Sequence, residues 1–113
     1  MKLYGIKNCD TVKKARKWLD ENGINYEFHD FKKDGLSSDK LSEWEKSLGW
    51  EALINKRGTT WRKLPEDVRD NMCAQSAHQV ILENTSIIKR PVVERGDNIS
   101  VGFNADEWAA WPH

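Results

Sequence analysis

Cys9 is the residue in this chain best placed to do covalent chemistry. It follows the short apolar run Leu3-Tyr4-Gly5-Ile6 and stands immediately before a stretch with helical periodicity. A thiol at the start of a helix meets backbone N–H groups without intrahelical partners and the positive end of the helix dipole. Both favour thiolate over thiol. Lys13, Lys14 and Arg16 follow within two turns. Cations at a helix N-terminus oppose the dipole, so their presence makes more sense where an anion, either a thiolate or a charged substrate, is to be held. Asp10 acts in the opposite direction, since an adjacent carboxylate disfavours the thiolate. Position alone fits equally a small buried filler beside a solvated Lys/Arg face.

The second cysteine, Cys73, lies in a helix-like segment away from any motif and reads as structural. The two cysteines make no Cys-x-x-Cys dithiol, and two alone do not make a zinc site. His29 and His78 have no His or Cys at ligand spacing, so neither a metal site nor a role for them is expected. Six tryptophans are scattered along the chain and are expected to serve packing.

The elements that must position Cys9 can be read from periodicity. Lys2 to Ile6 reads as a short strand. Asp10 to Glu21 carries Val12, Ala15 and Leu19 on one helical face and ends at Asn22-Gly23. Ile24 to Phe31 alternates as a second strand, so a βαβ unit with parallel strands and a right-handed crossover is expected. Ser38 to Leu48 is a second helix, and Trp50 to Ile54 adds a turn before the polar segment 55–60. Pro65 opens a short helix to about Cys73, and Ser76 to Glu83 forms another. Val92-Val93 and Ile99 to Val101 pair as a hairpin around Arg95-Gly96-Asp97-Asn98. The last helix starts near Asn104, with Glu107 spaced for a capping box. This order predicts an α/β, thioredoxin-like fold: a four-stranded mixed sheet, helices on both faces, and a helical insertion between the βαβ and ββα halves.

Lys+Arg and Asp+Glu are both 18 among the 113 residues. The absence of a basic excess makes nucleic acid an unexpected partner. The first apolar run is too short for a signal-peptide core, and no stretch approaches the ~20 apolar residues of a membrane span. A cytoplasmic location, reduced thiols and no membrane partner are therefore expected. Without repeats, low-complexity tracts or linkers, residues 1–113 are expected to form a single domain.

Four motifs together carry a resemblance. They are Tyr4-Gly5-Ile6-Lys7-Asn8-Cys9-Asp10-Thr11 with Lys13-Lys14-Ala15 behind it, Leu53-Ile54-Asn55-Lys56-Arg57-Gly58-Thr59, Ile88-Lys89-Arg90-Pro91, and Val101-Gly102-Phe103. On these residues the chain resembles the arsenate reductase family of thioredoxin-fold proteins, along essentially its whole length. That family includes glutaredoxin-coupled arsenate reductases, the Spx transcription regulators and YffB-type proteins, and the Cys9-Asp10-Thr11 form is most similar to the YffB type. The resemblance implies that Cys9 is the nucleophile, that Pro91 is a cis-proline opening the third strand, and that Arg90 lines an anion pocket. A second arginine of arsenate-reducing members falls in strict register on Asn55, with Arg57 as a near neighbour. Their third falls on Gly102. The second cysteine of Spx regulators falls on Val12.

The implied activity is that of a thiol-dependent reductase, with Cys9 attacking a sulfur or an oxyanion to give a mixed disulfide or adduct. Without a vicinal cysteine, an external thiol must release the product. The expected co-substrate is glutathione, or the partner glutaredoxin, with a small-molecule or protein thiol substrate and no tightly bound cofactor. Lys7, Asn8, Lys13, Arg57 and Arg90 are expected to hold the anionic part. Two alternatives accompany this reading: arsenate reduction, and an Spx-like RNA-polymerase-binding regulator without catalysis. Cys9 is expected to have the lowered pKa of the two thiols and to alkylate before Cys73.

Overall fold

A computed structural model describes residues 1–111. They fall into two compact units: residues 1–33 joined by the segment from Arg90 onward, and residues 34–89.

The first unit is built on a four-stranded sheet. Its strands are β1 (Lys2–Gly5), β2 (Glu27–Asp30), β3 (Val92–Arg95) and β4 (Asn98–Val101), in the spatial order β2-β1-β3-β4. β1 runs parallel to β2, with Leu3 opposite Phe28, and antiparallel to β3, with Leu3 opposite Val93. β1 is thus a central strand, and Leu3, Tyr4 and Gly5 are all buried. The β3–β4 hairpin closes through Gly96-Asp97, with Gly96 at φ +57°. A glycine with positive φ at the first central position is the requirement of a two-residue II′ turn.

Helix α1 (Asp10–Glu21) buries Val12, Ala15 and Leu19. Its end is a Schellman motif: Ile24 N–H donates to Leu19 O, and Gly23 N–H donates to Asp20 O with Gly23 at φ +67°. This is why the second strand is shorter than the alternation suggested. Ile24 completes the helix cap, and the strand begins only at Glu27. At the far end Phe31 leaves the strand for a helical turn, α2 (Phe31–Asp34).

One face of the sheet carries the core formed by Leu3, Val93, Ala15, Leu19, Trp108 and Trp111. Trp108 lies on α8 (Ala105–Ala109), and its ring meets Trp18, Phe103 and Trp111 at centroid distances of 5.8, 4.7 and 4.9 Å. Truncating so buried an aromatic to alanine costs about 3–5 kcal/mol. Asn104 caps α8 by accepting from Glu107 N–H at 3.1 Å, which is one half of the expected box.

The second unit is helical. It contains α3 (Ser38–Leu48), α4 (Trp50–Leu53), α5 (Thr59–Arg62), α6 (Glu66–Asp70) and α7 (Ala74–Glu83), followed by a 3₁₀ turn at Thr85–Ile87. Ser37 caps α3 through Lys40 N–H, and Gly49 ends it at φ +84°. Pro65 is the cap of α6 rather than its first helical residue. α7 starts at Ala74, two residues earlier than expected. Leu41, Trp44, Leu53, Ala77, Ile81, Ile87 and Ile88 are buried here. Residues 53–55 and 87–89 run antiparallel through the Ile54–Ile88 bridge, with Asn55 N–H on Ile87 O and Lys89 N–H on Leu53 O. No helix among the described residues is long and apolar enough to cross a membrane.

Candidate functional site

Cys9 is the N-cap of α1, in extended backbone at φ −89° and ψ 127°. Its carbonyl accepts Lys13 N–H at 2.9 Å and its own N–H donates to Ile6 O at 3.1 Å, so the main chain is fixed on both sides. The sulfur makes no capping bond, and the side chain is half-buried. Lys7, Asn8 and Lys13 are exposed around it, and Asp10 is the acidic residue of the first turn.

What sets the height of Cys9 above the sheet is Gly5. A Cβ added there would lie 2.7 Å from Val12 Cγ2. That is well inside van der Waals contact, against a β-branched side chain with little freedom to move. The missing side chain lets α1 rest directly on β1.

The loop entering β3 belongs to the same unit. The Arg90–Pro91 peptide is cis, as expected. The β1–β3 register pairs Tyr4 with Val92, and one further step brings Pro91 opposite Gly5. Pro91 is buried, and its carbonyl accepts Gly102 N–H at 2.8 Å, which ties the end of the hairpin to this loop. Arg90, just before it, is half-exposed. On the opposite side of β1 from the Trp108 core, the Tyr4 hydroxyl donates to Glu94 Oε1 at 2.6 Å.

Cys9, Lys7, Asn8, Lys13, Arg90 and Pro91 thus all belong to the first unit, whereas Arg57 belongs to the second. There it lines a cavity of about 420 Å³ with Glu51, Ile54, Asn55, Lys56 and Lys89. Asn55 Oδ1 accepts Arg57 N–H at 3.1 Å, so the side chain in strict register with the family's second arginine is used to shape the loop. At the third arginine position, Gly102 has φ +84°, a conformation L side chains avoid.

Cys73 differs from the sequence reading. It is exposed, and it caps α7. Its N–H donates to Ser76 Oγ at 3.0 Å, and its sulfur lies 3.6 Å from the same oxygen. The Ser76 N–H, the Ser76 hydroxyl and the Gln75 N–H lower the Cys73 thiol below its ordinary value, in that order of importance, with burial opposing weakly. Acidifying contacts of the kind expected at Cys9 are therefore present at Cys73.

A half-buried thiol at a helix start, without a vicinal cysteine and in the same unit as the cis-proline, can accept one sulfur and hand it on. Comparison with other proteins agrees with this layout. The YffB protein of solved structure is 46% identical, covering 96% of both chains with a TM-score of 0.92. An arsenate reductase (ArsC) related protein from Brucella melitensis is 52% identical over 97% of this chain and 92% of its own, with a TM-score of 0.82. The global transcriptional regulator Spx of Listeria innocua is 31% identical, covering 93% of this chain and 81% of its own. The ArsC family profile matches residues 4–111, and the chain belongs to the ArsC family.

Proposed function

We propose that the protein is a thiol-dependent reductase that works through Cys9 and draws its electrons from glutathione, directly or through glutaredoxin, in the cytoplasm. The observation that carries this reading is the sulfur of Cys9, uncapped at the head of a 12-residue helix in the same unit as the cis Arg90–Pro91 peptide. The Cys9 thiolate attacks the outer sulfur of a glutathione mixed disulfide. A Cys9–glutathione disulfide forms as the substrate thiolate leaves. A second glutathione thiolate then attacks that disulfide, regenerating Cys9 and releasing oxidised glutathione. Each cycle consumes one glutathione thiol and releases one substrate thiol, and no second protein cysteine is required. Lys7, Asn8, Lys13 and Arg90 hold the carboxylates of the tripeptide.

Arsenate fits less well. A tetrahedral oxyanion is best held by arginine forks, and Asn55 and Gly102 stand where two of three would be needed. Each absent charge-assisted bond forfeits ~1.5–3 kcal/mol. For a regulator of the Spx type, Val12 replaces the second cysteine of the redox pair and is fully buried.

The test is intact-mass spectrometry after exposure to oxidised glutathione, followed by peptide mapping. One glutathione on Cys9, removed by excess reduced glutathione, supports the reading. No adduct on Cys9 rejects it, and efficient glutaredoxin-coupled arsenate reduction would reverse the ranking of substrates.

A further inference from the structure

The helical unit contains a hydrogen-bonded chain that the cysteine chemistry does not use. Ser38 is the first residue of α3, Glu45 lies two turns further along it, and His78 is on α7. His78 Nε2 lies 2.8 Å from Ser38 Oγ, and His78 Nδ1 lies 2.5 Å from Glu45 Oε1. The side chains of His78 and Glu45 retain 23% and 17% of their exposure, whereas Ser38 is open to solvent. An ionised carboxylate can only accept, so the proton of a neutral His78 sits on Nδ1. Nε2 is then the acceptor, and the Ser38 hydroxyl donates to it. A carboxylate orienting a histidine that in turn accepts from a serine is the arrangement of roles in acyl-transfer triads.

Two neighbouring features complete a site. The first is the start of α3 itself. Ser37 Oγ accepts Lys40 N–H at 3.2 Å, while the N–H groups of Ser38 and Asp39 precede the first intrahelical bond and face outward from the helix end. The amide directly after the serine is a ready donor to a developing oxyanion. The second is a cavity of about 600 Å³ along α3 and α7 on the His78 and Glu45 side of the chain, lined by these two with Ser42, Lys46, Ala74, Gln75 and Gln79, while Ser38 lies outside its lining.

We propose that Ser38, His78 and Glu45 form a second, hydrolytic site that acts on small carboxylic esters. Ser38 Oγ attacks the carbonyl carbon while His78 Nε2 takes the hydroxyl proton. The tetrahedral oxyanion collapses, the C–O bond to the leaving alcohol breaks, and His78 returns the proton to that alcohol. Water, deprotonated by His78, then cleaves the acyl-serine to the acid. Glu45 stays ionised throughout and holds the Nδ1–H. The step needs neither cysteine and no cofactor.

The same contacts could serve only to pin α3 to α7, and the experiment separates the two. The full chain is treated with diisopropyl fluorophosphate, which phosphorylates an activated serine with loss of fluoride, and the adduct is mapped by peptide mass. We expect one adduct on Ser38, forming on the order of tenfold or more faster in the folded chain than in urea. Glu45→Gln and His78→Gln should slow it by a similar factor while the circular dichroism is unchanged. p-Nitrophenyl acetate should leave an acetyl group on Ser38. No adduct on Ser38, or labelling as fast in urea, overturns the proposal, and this comparison needs no variant to fold. Labelling indifferent to His78→Gln in a folded variant overturns it as well.

Discussion

Two helix N-termini in this molecule are capped by cysteine, and they use it differently. Cys9 heads α1 and Cys73 heads α7, both in extended backbone. At α7 the cap is closed: Ser76 and Cys73 bond each other reciprocally, and the thiol is made more acidic by it. At α1 the cap is open, with no side-chain bond to the sulfur. The difference teaches that acidity and availability are separate properties of a thiol. Hydrogen bonds that stabilise a thiolate also draw down its lone pairs, and intrinsic nucleophilicity falls as pKa falls. Cys73 does structural duty as a cap, in agreement with the sequence reading, yet it is exposed and ionisable, which that reading did not foresee.

The sharpest way to break this comparison is to remove each sulfur in turn. Cys9→Ser should abolish glutathione mixed-disulfide formation, and Cys73→Ser should leave it intact, as judged by intact mass and a coupled reductase assay. If the adduct instead maps to Cys73, the acidic, capped thiol is the functional one. Next in size is the platform beneath Cys9. Gly5→Val drives a side chain into Val12 and should destabilise the fold by ~1–3 kcal/mol in urea titrations. It should slow Cys9 modification while sparing Cys73. Gly102→Arg restores the family's third arginine at φ +84°, so a strain of about 1–2 kcal/mol should appear in denaturation. Arsenate reduction should stay at background. The smallest effect is at Ser76. Ser76→Ala removes the hydroxyl but keeps the N–H, so the Cys73 pKa rises part of the way back. Its alkylation-against-pH curve should move to higher pH, slower at pH 7, with the Cys9 curve unmoved.

Much of the scaffold could be read from spacing. α1 and α3 run between the residues expected, because apolar periodicity and the glycines after them agree. The errors are local and have named causes. Ile24 belongs to a Schellman cap, and Pro65 sits one position outside its helix. The place of Cys9 at a helix start was legible from the residue pattern around it, whereas the cis-proline followed only from the resemblance of Ile88-Lys89-Arg90-Pro91 to the family. Cys73 was not, since cysteine is outside the usual N-cap preference for Ser, Thr, Asp and Asn. His78 was judged isolated because its partners are 33 and 40 positions away. Only Ser38 and Glu45, seven residues apart on one helix, hint at a shared face. Tertiary packing supplies the third member.

The hydrogen bond from Tyr4 to Glu94 spans 90 positions of the chain. It reflects a sheet whose centre pairs β1 with β3, strands far apart along the chain. During synthesis β1 therefore leaves the ribosome long before its antiparallel neighbour β3 exists. Until β3 emerges, β1 has one edge of N–H and C=O groups open to any extended segment it meets. Closing so long a loop late makes sheet completion a slow event. Truncation within the hairpin should consequently yield chains that aggregate rather than partly folded βαβ units, and the nascent polypeptide should bind holdase chaperones until residues 92–101 are free.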